Sequence, residues 1–222
     1  HRERLSLVRA ISKKINKDVK VFADLCGPKL RVTHILRERM ELLSGKEVRI
    51  ILEKERITED SFMISYSDLY LHVIAGTVIA LDDGKILLSV IRVEGKDIIC
   101  SVQRGGFLIN EKGVNIIDTD LPISSFTEKD ESDALFALQE NFDALALSFV
   151  KKKEDIIGLQ DFLKGHTDRH IPIIAKIETR QALKEIGSIL EVTSMIMVAR
   201  GDLGIEIPVE KIPIAQKELV YV

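Results

Sequence analysis

Three textures of hydrophobic and polar positions follow one another along the chain. At the N-terminus, Leu5, Val8 and Ile11 of RERLSLVRAISKK recur at helical spacing, and VKVFADL follows as a short β-rich run that stops at CGPK. From residue 32 to about 116 the apolar positions come in short bursts: EVRIILE, SFMISY and TVIALDDGKILLSVIRVEGKDIICSVQRGGFLI, cut by SGK, DDGK, EGKD and RGG. Those interruptions are turn chemistry, so this stretch predicts an antiparallel all-β module. Beyond it, helices and strands alternate singly: EKDESDALFALQEN, DALALSFV, KEDIIGLQDFLKG, IPIIAKIE, RQALKEIGSILEV and SMIMVARGDL. Single helices between strands predict right-handed crossovers and a parallel sheet.

The expected organisation is an α/β domain interrupted by a β module, with segments 1–31, 32–116 and 117–222. Without the insertion about 135 residues remain, room for four or five βα units at about 30 residues each, roughly half of a (β/α)8 barrel. The spacing alone fits an open sheet as well as a half barrel. Composition narrows the function classes. The chain has 222 residues and a net charge of −3, which implies no general attraction to nucleic acid or an anionic membrane. Its two cysteines, Cys26 and Cys100, form no CxxC pair, which argues against a disulfide framework or a cysteine zinc site and suits a reducing cytoplasm. No apolar run approaches the 18 residues of a membrane span.

The candidate chemistry sits at strand ends. In IIAKIE, Lys176 and Glu178 are two apart and project to the same side of a strand. Asp202 ends the next strand and Asp24 the first, so neighbouring parallel strands can aim one cation and several carboxylates at the crevice where α/β ligands bind. A hard cation such as Mg²⁺ takes one or two protein carboxylates and completes its shell with water and substrate oxygens. The glycines of RGDLG admit an anion close to the backbone, and Lys176 beside the metal would stabilise a transferring phosphoryl group or an enolate. Each piece also has a plainer reading. Lys-x-Glu alone is the pattern of a surface ion pair, Asp82–Asp83–Gly84–Lys85 is a hairpin turn, TEKD is a helix cap on Thr127, and HTDRH is a polar loop.

What favours the functional reading is a resemblance. DLCGPKLRV, LDDGKI, KGVN, TEKD, ALSFV, IIAKIE and MVARGDLGIEIP…QK, in this order and at these separations, are similar to the pyruvate kinase family. The resemblance implies part, about half, of a TIM (β/α)8 barrel with an inserted all-β lid domain. It implies phosphoryl transfer from phosphoenolpyruvate to ADP, giving pyruvate and ATP in glycolysis, with Mg²⁺ (or Mn²⁺) and K⁺. By position, Lys176 matches the catalytic lysine, Glu178 and Asp202 the metal ligands, and Asp24 with the Leu25 carbonyl the K⁺ site. Gly201 and Asp202 match amides that meet the substrate carboxylate, Ser148 and Phe149 line the substrate site, and Arg31 and Lys112 lie near the nucleotide. The resemblance further implies a cytoplasmic homo-oligomer. The family's first two and last two barrel strands have no match here, so the expectation is that a longer parent protein is active and the isolated chain much less so. Two alternatives remain: a metal-dependent phosphoenolpyruvate or pyruvate aldolase or lyase, and an inactive pyruvate kinase-like binding fragment.

Overall fold

The computed structural model describes residues 1–221. In chain order, helix α1 (Arg2–Lys14) leads into strand β1 (Phe22–Leu25). Nine strands follow: β2 (Leu30–Ile35), β3 (Met40–Leu42), β4 (Glu47–Ile50), β5 (Ser61–Ile64), β6 (Val78–Leu81), β7 (Ile86–Glu94), β8 (Asp97–Arg104), β9 (Gly106–Leu108) and β10 (Gly113–Ile117). The α/β alternation then resumes with α2 (Glu128–Gln139), β11 (Ala144–Leu147), α3 (Lys153–Lys164), β12 (Ile173–Ile177), α4 (Arg180–Lys184), α5 (Ile186–Leu190) and β13 (Met195–Val198). Helices α6 (Arg200–Glu206) and α7 (Ile212–Tyr221) complete the described chain.

These elements divide into two compact units. One comprises residues 1–28, 123–203 and the chain from 210 on; the other comprises Lys29–Pro122 with Gly204–Val209.

The first unit carries a four-stranded parallel sheet in the order β1-β11-β12-β13, the half-barrel portion of a TIM-like fold. Strands β1 and β11 are neighbours although the whole β module separates them in sequence. Period-two alternation gives the sheet two faces. Leu25, Leu145, Leu147, Ile173, Ala175 and Ile177 join Ala134, Ala137, Ile156, Leu159 and Ile189 of the helices in the main core. Burying each large side chain of that set contributes about 1.5–3 kcal/mol. Ala144, Ala146 and Ile174, with Met197 against them, line the opposite face. Asp24 and Lys176 share the parity of that second face, which leads to the candidate site.

Local signals account for the helix starts. Thr127 caps α2, its hydroxyl accepting from the Asp130 amide while the Asp130 carboxylate accepts from the Thr127 amide at 3.0 Å, a complete capping box. Thr179 caps α4 through the Ala182 amide at 3.0 Å. Two expectations need amending. The stretch RQALKEIGSILEV forms two short helices rather than one, with Glu185 breaking the run between α4 and α5. The apolar stripe of α1 is covered only at its start: Leu5 is buried, Val8 is half-buried, and Ile11 is 47% exposed.

The second unit is a closed seven-stranded barrel in the order β10-β2-β5-β4-β8-β7-β6, with β3 and β9 forming a separate ribbon. It is antiparallel except for the β4–β5 pair. The turn from β6 to β7 runs through Asp82, Asp83 and Gly84, all at positive φ, as the Asp-Asp-Gly sequence predicts. Strands β2 and β10 lie side by side, Leu30 opposite Val114, so the two ends of the insertion emerge together.

Candidate active site

The register of the parallel sheet assembles the site. Asp24 lies opposite Ala146, and Ser148 follows two residues later, on the same side, just past the end of β11. Lys176 occupies the penultimate position of β12, with Glu178 immediately beyond the strand. The Lys176 ammonium donates to Ser148 Oγ at 2.8 Å and meets Glu178 Oε1 at 3.0 Å and Asp24 Oδ1 at 3.1 Å. An ammonium has three N–H donors, and three acceptor side chains surround it here, Asp24 with both oxygens in reach. Ser148 in turn donates to Asp24 Oδ1 at 3.4 Å. Ser148 is buried and Glu178 is 2% exposed, whereas the Asp24 side chain is 52% exposed. The cluster therefore has a buried side, Ser148 and Glu178, and a solvent side, Asp24.

Its electrostatics follow from that layout. Burial disfavours the charge on Lys176, but the Glu178 and Asp24 carboxylates outweigh it and raise the ammonium pKa. Burial pushes the Glu178 carboxyl up; the Phe149 amide and the Lys176 ammonium pull it down without cancelling the rise, and the charge of Asp202 adds to it. Two carboxylates close enough to feel one another, one of them buried, make a place where additional positive charge is favourable.

Phe149 is the conformational oddity of the site. Its φ is +54°, a left-handed value that a bulky residue rarely adopts and that costs about 1–3 kcal/mol. The turn points its amide at Glu178 Oε2, 2.7 Å away, and its carbonyl at the hydroxyl of Ser125, also 2.7 Å away. Gly27, at φ +63°, lies against it: a Cβ there would stand 2.9 Å from Phe149 Cδ2 and 3.2 Å from the Ser148 carbonyl oxygen. The Gly27 amide donates to Asp130 Oδ1 at 3.1 Å, so the capping residue of α2 also holds the loop after β1. Sequence reasoning read Asp130 only as a cap and did not single out Ser125. Both act through contacts distant in sequence, which no local pattern announces.

The other predicted positions are placed as follows. The Leu25 side chain is fully buried in the main core. Gly201 and Asp202 lie in the first turn of α6, not at a strand tip, because β13 already ends at Val198. The Leu203 amide makes a helical bond to the Ala199 carbonyl at 2.9 Å, so Gly201 and Asp202 precede it in that turn. Arg31 and Lys112 belong to the second unit. There Arg31 donates to the Glu111 carbonyl at 2.7 Å, and Lys112 pairs with Asp82 at 2.8 Å, with Lys85 on the same carboxylate at 3.0 Å. Lys112 above all, then Lys85, holds the Asp82 carboxyl below its usual range.

Among the described residues no group of three His, Cys, Asp or Glu side chains is arranged to hold a metal. A closed structural zinc site, with its four protein ligands, is therefore not built here. The acidic pair Glu178 and Asp202 suits instead a hard cation that keeps water and substrate oxygens in its shell, as Mg²⁺ does.

Comparison with known proteins agrees in extent as well as kind. Residues 1–222 match the family model described as pyruvate kinase, barrel domain. The pyruvate kinase of Clostridium acetobutylicum is 36% identical over 99% of this chain and 47% of its own length. Those of Bacillus licheniformis and Geobacillus stearothermophilus are 35% and 36% identical over 99% of this chain and 38% of theirs. The chain thus spans less than half the length of these relatives. Matched from one end to the other by that model, the chain belongs to the pyruvate kinase family.

Proposed function

We propose that this chain carries the lysine and acidic centre of a pyruvate kinase, moving a phosphoryl group from phosphoenolpyruvate to ADP to give pyruvate and ATP in glycolysis. The observation that carries the reading is the half-buried Lys176 ammonium held among Glu178, Asp24 and Ser148 at the ends of three adjacent parallel strands. Phosphoryl transfer needs little covalent help and much fixed positive charge, and an ammonium clamped in place requires no reorganisation as charge develops. Lys176 stays protonated because its carboxylate partners raise its pKa. It thus offers constant charge to the transferring phosphoryl and to the enolate left behind. Of its three partners, Asp24 is the exposed one, so an incoming anion gains access to the ammonium at the Asp24 side.

Glu178 and Asp202 are the residues that would hold Mg²⁺ or Mn²⁺, which when bound neutralises charge on phosphoryl and enolate oxygens. Asp24, with the Leu25 carbonyl, is assigned to K⁺. Gly201 and Asp202, in the first turn of α6, direct amides toward the substrate carboxylate, while Ser148 and Phe149 form the wall behind it. Arg31 and Lys112 are assigned to the nucleotide phosphates. The enzyme is read as a cytoplasmic homo-oligomer; no described helix is long and apolar enough to cross a membrane.

The test is Lys176→Met in the full-length protein. Pyruvate formation should fall by about 10²–10³-fold or more, while Mn²⁺ binding followed by calorimetry should persist. Glu178→Gln should weaken that binding. Turnover retained without the lysine would refute the assignment, and pyruvate release independent of ADP would favour an aldolase or lyase instead.

A further inference from the structure

We infer that Ser125 is a positioning residue for the Glu178 carboxylate, acting through the left-handed backbone of Phe149. This rests on the reading of Glu178 as a divalent-cation ligand. Both Glu178 oxygens are engaged within the protein: Oε1 by the Lys176 ammonium at 3.0 Å, Oε2 by the Phe149 amide at 2.7 Å. Together the two donors fix the plane of the carboxylate. The amide reaches Oε2 from a backbone turned to φ +54°, which is unfavourable for phenylalanine and persists only when its surroundings enforce it.

Two contacts enforce it. Ser125, 1% exposed, donates its hydroxyl to the Phe149 carbonyl at 2.7 Å, pinning the oxygen end of the residue. Gly27 lies against the Phe149 ring so closely that a Cβ in its place would come within 2.9 Å. The hydroxyl holds the 149–150 peptide, the left-handed Phe149 backbone ties that peptide to the 148–149 peptide, and the N–H of the latter meets the carboxylate; Ser125 acts through this backbone rather than by a hydrogen bond of its own to Glu178 or Lys176. Hydrogen-bond partners behind a metal-binding side chain commonly change affinity by about 10–100-fold when removed.

The experiment compares the unsubstituted protein with Ser125→Ala, Ser125→Thr and Thr193→Val. Thr193, half-buried, also has a hydroxyl whose hydrogen is shared between two carbonyls, those of Ile173 and Met195 at 3.0 Å each, but at the opposite ends of β12 and β13. Two quantities are read: Mn²⁺ affinity by calorimetry, and hydrogen exchange of the Phe149 amide by NMR without metal. Ser125→Ala should weaken Mn²⁺ binding about tenfold and speed exchange at Phe149. Ser125→Thr, which keeps the hydroxyl, should restore both, and Thr193→Val should leave both unchanged. If the alanine variant does not fold, Ser125→Cys, similar in size and a far weaker donor, carries the same expectation. Unchanged affinity and exchange in Ser125→Ala would overturn the inference, as would an equal loss in Thr193→Val. Failure of the unsubstituted protein to bind Mn²⁺ would instead overturn the cation reading of Glu178, and exchange at Phe149 would still show whether Ser125 holds the peptide.

Discussion

At the scale of single residues, the site depends on backbone that resists ordinary side chains. Gly27 at φ +63° backs directly onto Phe149 and the Ser148 carbonyl, so Gly27→Ala adds both a backbone penalty and a collision. We expect it to cost about 1–3 kcal/mol and lower Tm by roughly 2–10 °C. A thermal melt followed by circular dichroism reads this directly, and an unchanged Tm would mean the loop accommodates the methyl group without strain. Lys176 and Glu178 were legible as a same-side pair because two-residue spacing on a strand leaves no other geometry. The partners that complete the cluster, Ser148 and Asp24, could be brought to one crevice by the parallel-strand reading, but not assigned to particular hydrogen bonds. Asp202 was misplaced by one element: the apolar run of MIMVARGDL suggests strand to its end, and the chain turns helical at Arg200.

At the scale of elements, one carboxylate ties α1 to the sheet. Asp143, just ahead of β11, accepts from the Val21 amide at 2.6 Å and from Arg9 of α1 at 2.7 Å, while Arg9 also reaches the carbonyls of Val19 and Asn141. Burial works to raise the Asp143 pKa, but the Val21 amide and Arg9 prevail and hold it below its usual value. A depressed carboxylate contributes stability above its unfolded pKa, near 3.9, and loses it as pH falls through the lower folded value. Tm should therefore drop on acidification below about pH 4, and Asp143→Asn should remove part of that dependence. At neutral pH the substitution should cost about 1–2 kcal/mol, less than a fully buried charged pair would, because both groups are partly exposed. A pH series of melts on both proteins checks it; parallel curves would show that the clamp contributes nothing. The cap of α2 was readable from sequence because Thr127 and Asp130 are three residues apart; the equally local cap of Thr179 on α4 was not singled out. The Arg9–Asp143 and Ser125–Phe149 ties were not readable, since each joins segments far apart in the chain.

At the scale of the whole molecule, the change from a β texture to βαβ alternation was legible because each has its own period and its own turn residues. The closure of the inserted strands into a barrel, and the one parallel pair within it, were not, because strand order is a long-range choice that short turns leave unspecified. The barrel has its own core, with Val32, Phe62, Ile79, Leu81, Leu88 and Ile99 buried. Residues 29–122 expressed alone should therefore give a folded β protein with a cooperative thermal transition; a non-cooperative melt would show that this unit borrows its stability. The adjacency of β2 and β10 at its base carries a kinetic consequence. While the insertion is unfolded, pairing β1 with β11 must close a very long loop; once the barrel forms, its ends already sit together and the loop is effectively about fourfold shorter, a saving of about 1 kcal/mol in closure entropy. The hairpin of β7 and β8 should consequently acquire protection before the β1–β11 ladder in pulse-labelled refolding, so that the inserted strands, by folding first, shorten the search of the strands they separate.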